Sequence, residues 1–221
     1  RGSNGWLTKE LAKLNIPLEQ KGIEIGVRIE VPQEILQNLT SIIYDPPIFL
    51  RTESFDDLVE TFCTNPAGFV TQENYKDFVC VNGHACKDSH SKNSNFALLV
   101  KINLTEPVTD TIAYGESICR LANCIGGGKP LLQRYADFRH HHRSTWDRLS
   151  QCDTEPTLKD VTPGDICMAF PHRIVTDINE ALDRLNKLVP GLTSDSTLLY
   201  APEAKFFSVR PKITSSMETP V

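Results

Sequence analysis

Cys80-x3-His84-x-Cys86-x3-His90 puts four soft ligands within eleven positions, enough in principle for a tetrahedral zinc. The spacing departs from that of a zinc finger, because Cys80 sits in an apolar strand pattern only three residues before His84. The plain reading is two ordinary cysteines and two polar histidines in a loop, so no metal ligand is assigned. Cys63 and His84 are the candidate thiol–imidazole pair. Sequence alone leaves open whether they meet or whether Cys63 is an inert buried thiol. His140-His141-His142, flanked by Arg139 and Arg143, could hold phosphate or a metal, but adjacent residues point to different sides of any regular element. It reads as a solvated stretch. Gly126-Gly127-Gly128-Lys129 resembles half of a phosphate loop, yet Pro130 stands where Ser or Thr should bind magnesium. Neither G-x-S-x-G nor G-x-G-x-x-G occurs.

The elements that must position these groups mix both periods. Trp6, Leu7, Leu11 and Leu14 fall at helical spacing, which predicts a helix over 6–14. Over 22–31, Ile23, Ile25, Val27, Ile29 and Val31 alternate with Glu24, Gly26, Arg28 and Glu30, the clearest strand in the chain. Pro32 suits the start of a helix over 33–39. After the turn at Asp45-Pro46-Pro47 comes a short apolar run, 48–50. Ser54 reads as an N-cap, with Asp56, Asp57 and Glu60 opening a helix to Phe62. A strand over 78–81 should end at a turn on Asn82-Gly83. The polar run 87–94 predicts an exposed loop, and 95–104 a buried strand. Helices follow over 110–125, stopped by Gly126-Gly127-Gly128, and over 176–188, closed by Pro190-Gly191. The stretch 197–209 reads as two apolar segments interrupted by Pro202. Strands and helices without regular βαβ alternation predict an α+β fold with a mostly antiparallel sheet and flanking helices.

Composition bounds the function. The 221 residues carry 23 Lys and Arg against 28 Asp and Glu, a net charge of −5. That balance argues against a nucleic-acid or anionic-membrane partner. No apolar run approaches the ~18 residues of an ordinary spanning helix, so no membrane partner is expected. Seven scattered cysteines do not resemble a disulfide framework, and reduced thiols in a cytoplasmic protein are expected. The N-x-T sequons at Asn38 and Asn103 matter only after secretion. The opening Arg1-Gly2-Ser3, without Met, fits processing, a tag remnant or a piece of something longer; the polar stretch 214–221 carries no obvious anchor.

An ordered set of motifs then carries a resemblance. Gly26-Val27-Arg28-Ile29-Glu30, Thr61-Phe62-Cys63-x-x-Pro66-x-Gly68, Val81-Asn82-Gly83-His84, Asn95-Phe96-Ala97-Leu98-Leu99-Val100, Gln133-Arg134-x-x-Asp137-Phe138 and Glu203 within LYAPEAKFFSVRP occur in that order. Over about 6–210 the chain resembles the central portion of the bacterial uncharacterised FAD-dependent dehydrogenases. In those flavoproteins a substrate-side domain interrupts a Rossmann-type FAD domain. The resemblance implies that 1–221 is a single inserted domain, whose ends, 1–31 and 197–221, lead to and from an FAD-binding domain of the same longer chain. It implies FAD as cofactor of the full-length protein, a small-molecule substrate, and redox chemistry done by the flavin. Cys63 and His84 become catalytic candidates near the flavin, His84 as proton donor, since imidazoles exchange protons near neutral pH. Arg28 becomes a bidentate clamp for a carboxylate or flavin oxygen, or else pairs with Glu24 or Glu30 on its own strand face. Glu203 becomes a contact to the ribityl chain or ring edge, or else a surface salt bridge. A rival reading is a stand-alone ligand-binding or interaction module without redox chemistry of its own.

Overall fold

The computed structural model describes residues 4–19, 22–104, 110–206, 210–216 and 218–219. The chain runs α1 (Asn4–Lys13), β1 (Leu18–Glu19), β2 (Ile23–Pro32), α2 (Gln33–Thr40), β3 (Phe49–Arg51) and β4 (Leu58–Asn65). It continues through β5 (Phe69–Asn74), β6 (Val79–His84), β7 (Asn93–Ile102), α3 (Thr111–Ile125), β8 (Leu131–Arg134) and α4 (Tyr135–Arg139). Then come α5 (Trp146–Leu149), β9 (Thr162–Pro163), α6 (His172–Leu188), β10 (Leu198–Lys205) and β11 (Arg210–Pro211). The α+β expectation with a mostly antiparallel sheet holds. The seven-stranded sheet has the order β3-β4-β7-β2-β10-β8-β9, antiparallel throughout except for β8 with β9. β5 and β6 form a separate hairpin, and β1 pairs with β11.

Alternation along β2 assigns the two faces. Ile23, Ile25, Val27, Ile29 and Val31 pack with Phe96, Leu98 and Val100 of β7 against α2, α3 and α6, in the main apolar core. The opposite face carries Glu24, Arg28 and Glu30, and it is not wet: all three are buried. The β5–β6 hairpin and the stretch 144–165 cover it, with Val70, Val81, Leu149 and Val161 meeting Leu132, Leu198 and Tyr200.

Four sequence expectations change. Residues 54–62 are not a helix. Asp56 takes a left-handed backbone (φ 55°), the Glu180 carboxylate accepts from the Glu53 and Ser54 amides, and β4 begins at Leu58. The polar signals that resemble a helix cap are satisfied by a turn, and the β-prone run Val59-Glu60-Thr61-Phe62 pairs with β7. Asn82-Gly83 lies inside β6, paired with Thr71 and Val70, rather than in a turn. Within the predicted polar loop, Asn93 and Ser94 are buried and already belong to β7. Pro202 does not split its segment: β10 runs through it, with a register shift between Tyr200 and Glu203. Residues 207–209 of that prediction lie outside the described residues.

Candidate functional site

Two bulges build the buried polar face. Along β10, Leu198 and Tyr200 point to this face, while Leu199 and Ala201 join the main core. Strict alternation would then send Glu203 into the apolar core. The register shift after Tyr200 inverts the pattern, so Ala204 takes the core side and Glu203 and Lys205 take the polar side. On β4 a second shift lies between Phe62 and Asn65, with Cys63 at φ 51°. It turns the Cys63 carbonyl towards Arg28.

Arg28 and Glu203 are fully buried, and Lys205 is 3% exposed. Arg28 Nε lies 3.0 Å from Glu203 Oε2, an ionic contact without hydrogen-bond alignment. Arg28 Nη1 donates to the Cys63 carbonyl at 2.9 Å, and Nη2 to Asn82 Oδ1 at 3.1 Å. The other Glu203 oxygen stands 3.0 Å from Lys205 Nζ, which also sits over the Phe62 ring. Arg28 therefore pairs with Glu203 of the adjacent strand β10 and not with the glutamates of its own strand. The guanidinium fork has three acceptors in different directions, which an ammonium could not span.

From this brace the network reaches the surface. Asn65 Nδ2 donates to the Cys63 carbonyl at 2.7 Å and stands 3.6 Å from its thiol. Asn82 accepts from the Gly83 amide and donates to Glu73, whose other oxygen accepts from the Tyr75 hydroxyl. Gly83 is required here: a Cβ would overlap Asn65 Nδ2 and Asn95 Oδ1 and stand 2.6 Å from Arg28 Nη2. Asn95 Nδ2 is buried with no hydrogen-bond partner among the described residues. Beside the brace, Glu30 accepts from the Tyr200 hydroxyl and the Thr157 hydroxyl, each at 2.5 Å, and from the Thr157 amide. Burial holds the Glu30 carboxyl above its usual range against these hydrogen bonds.

Of the predicted site residues, the structure joins Arg28, Glu203 and Cys63 directly. Cys63 is half-buried at the rim of the face, and its thiol meets the Asn65 amide. His84, at the end of β6, is exposed, and its ring makes no hydrogen bond among the described residues. Cys63 and His84 lie on neighbouring segments, since a Cβ on Gly68 would touch both Asn65 and the His84 carbonyl, but their side chains form no bonded pair. Sequence reasoning missed Lys205, Asn65, Asn82, Asn95 and Glu73. The one available signal was Glu203-x-Lys205, two positions apart on one strand face.

The remaining motifs have structural roles. Cys80 is buried against Cys119, whereas His84 is exposed, and among the described residues no three His, Cys, Asp or Glu side chains gather as a metal site. Gly126-Gly127-Gly128 closes α3, and the amides of Gly127 and Gly128 turn back to Cys124 and Asn123 carbonyls. The start of α3 is capped by the Asp110 carboxylate. The triple glycine and the start of α3 therefore do not fit the pyrophosphate half of an FAD: the glycine amides are spent and an anion already occupies this helix start.

A seven-stranded sheet with helices on one face and an ionic brace sealed under a hairpin on the other defines an α+β domain with a buried polar face. Residues 22–206, from just before β2 to just after β10, match the family described as FAD-dependent protein, C-terminal domain-like. The chain belongs to this family, and it is a domain of an FAD-dependent protein. No curated protein matches it. Among the described residues no helix is long and apolar enough to cross a membrane.

Proposed function

We propose that the chain is the substrate-side, inserted domain of an FAD-dependent dehydrogenase of the bacterial, Rossmann-type kind, acting on a small molecule in the cytoplasm. In this reading the dinucleotide is held by an FAD-binding domain of the same longer chain. The present domain supplies the wall that faces substrate and flavin ring. Cys63 and His84, at the open edge, are the groups that touch substrate or cofactor, His84 as proton donor. Arg28 and Glu203 serve the cofactor side as positioning residues, since Arg28 already has three partners and no free edge. The observation that carries the reading is the sealed Arg28–Glu203 brace ending on the carbonyl of a half-buried cysteine. A buried ion pair is a poor way to gain stability, and fixing an arrangement is the better account of it. The pairing of Leu18 with Pro211 also brings the two ends of the domain side by side, as an insertion requires.

The test uses the longer chain, with flavin content and flavin reduction rate as readouts. His84→Asn or Cys63→Ser should leave flavin content intact and slow reduction about a hundredfold, the ordinary worth of a positioned proton donor. Arg28→Lys should shift the pH profile of reduction along with its rate. Wild-type reduction rates in both His84→Asn and Cys63→Ser would overturn the proposal.

A further inference from the structure

Behind the polar network, two thiols meet in the main core. Cys80 of β6 and Cys119 of α3 are both fully buried, with their sulfurs 3.7 Å apart. Their approach is not incidental to loose packing. One helical turn beyond Cys119, the Asn123 side chain accepts from the Val79 amide at 2.6 Å and donates to the Val79 carbonyl at 2.9 Å. The amide thus fastens the strand to the helix in one register, one residue from Cys80. Arg120, next to Cys119, lies over the Phe78 ring. The two cysteines are consequently held by neighbours on both sides.

We propose that Cys80 and Cys119 are a disulfide-forming pair, oxidised by low-molecular-weight disulfides, and that the bond staples the β5–β6 hairpin to α3. Bond formation needs the sulfurs to close from 3.7 Å to about 2.05 Å. One thiolate attacks the small disulfide and releases one small thiolate, giving a mixed disulfide. The second protein thiolate displaces the other small thiolate. Two protein thiols and one small disulfide thus become one protein disulfide and two small thiols, which carry off both protons. The contact with Cys119, burial and neighbouring carboxylates hold Cys80 as the neutral thiol, so attack waits for a local opening of the hairpin. The juxtaposition of the two thiols sets the equilibrium position and not the speed. Two thiols already juxtaposed in the native fold close a ring with little further loss of freedom. The hairpin carries Asn82 and Gly83, so the staple fixes the lid over the Arg28 brace.

The folded chain, equilibrated in glutathione disulfide, quenched in acid and alkylated, is digested without reduction and read by mass spectrometry. A Cys80–Cys119 peptide pair should be the dominant linkage, and the oxidised protein should melt several degrees higher than the reduced. Cys80→Ala and Cys119→Ala should each abolish both the linkage and the gain in melting temperature. The wild-type readout stands without variants should either fail to fold. Dominance of another pair, glutathione adducts in place of the link, or both thiols still alkylatable at equilibrium would each overturn the proposal.

Discussion

Replacing Arg28 by Met keeps most of the side-chain volume and removes the charge that Glu203, Cys63 and Asn82 share. Breaking a buried pair costs about 3–5 kcal/mol, because the remaining ion is left without its partner. Glu203 retains Lys205 at 3.0 Å, which places Arg28→Met near the lower end. Glu203→Gln is worse, since it leaves Arg28 and Lys205 as two buried cations with no anion between them; it should lie near the upper end. Arg28→Lys retains charge but cannot reach three acceptors, and the lost charged hydrogen bonds amount to about 1.5–3 kcal/mol. Each is a large fraction of the ~5–15 kcal/mol that holds an ordinary domain together. Urea unfolding followed by far-ultraviolet circular dichroism gives the values. Tryptophan fluorescence is the poorer probe, because Trp6 and Trp146 are 64% and 55% exposed. The Arg28→Met/Glu203→Gln double variant should show a coupling well beyond the ~0.5 kcal/mol tolerance of independent sites. Additivity within that tolerance, or single costs below about 1 kcal/mol, would refute a sealed ion pair.

Gly83→Ala should destabilise by about 1–3 kcal/mol through overpacking against Asn65, Asn95 and Arg28, and unchanged urea midpoints would contradict the close approach. In α6, burial, with the neighbouring Asp57 carboxylate adding to it, pushes the Asp177 carboxyl up to about 6. The folded state then holds this proton more tightly than the unfolded chain, so the associated stability is complete below about pH 4 and lost as pH rises through 6. Asp177→Asn should therefore gain about 1–2 kcal/mol on wild type between pH 4 and 7, and a difference that is flat with pH would count against it. Purified alone, the chain should be colourless, its glycine amides being spent within the α3 cap; stoichiometric visible flavin absorbance would show a dinucleotide site in these residues. Prepared under reducing conditions, desalted and denatured, it should titrate as seven thiols, and a lower count would reveal a bond already present.

The strand 22–31 was legible because its alternation is local and complete, and the helices over 110–125 and 176–188 because their apolar stripes are long. Alternation says only that two faces differ. What covers the polar face comes from 69–84 and 144–165, and no local pattern announces that partner. The cap signals at Ser54, Asp56 and Asp57 were real hydrogen-bonding tendencies, but residues outside any local helix answer them: Glu180 at the Ser54 amide, Arg173 at Asp57 and Arg51 at Asp56. Asn82-Gly83 favours a turn in isolation, whereas here the glycine is needed for the fit against Asn65, Asn95 and Arg28. Arg28, Cys63 and Glu203 were visible as residue types. Their meeting depends on two register shifts, and a shift leaves almost no trace in composition.

Those shifts bear on why the brace exists. Without the one after Tyr200, Glu203 would enter the apolar core and Arg28 would be buried with no anion beside it. Without the one after Phe62, the Cys63 carbonyl would belong to the β4–β7 ladder and not to Arg28. Each shift interrupts regular backbone pairing, and Cys63 further takes a left-handed conformation that non-glycine residues seldom adopt. Apolar residues in a regular sheet would seal the same hairpin at lower cost. Stability alone therefore does not account for the combination of two bulges, a strained cysteine and a buried ion pair. They converge on one place, the Cys63 backbone beside Asn82 and Gly83, and holding that rim in position is what the arrangement accomplishes.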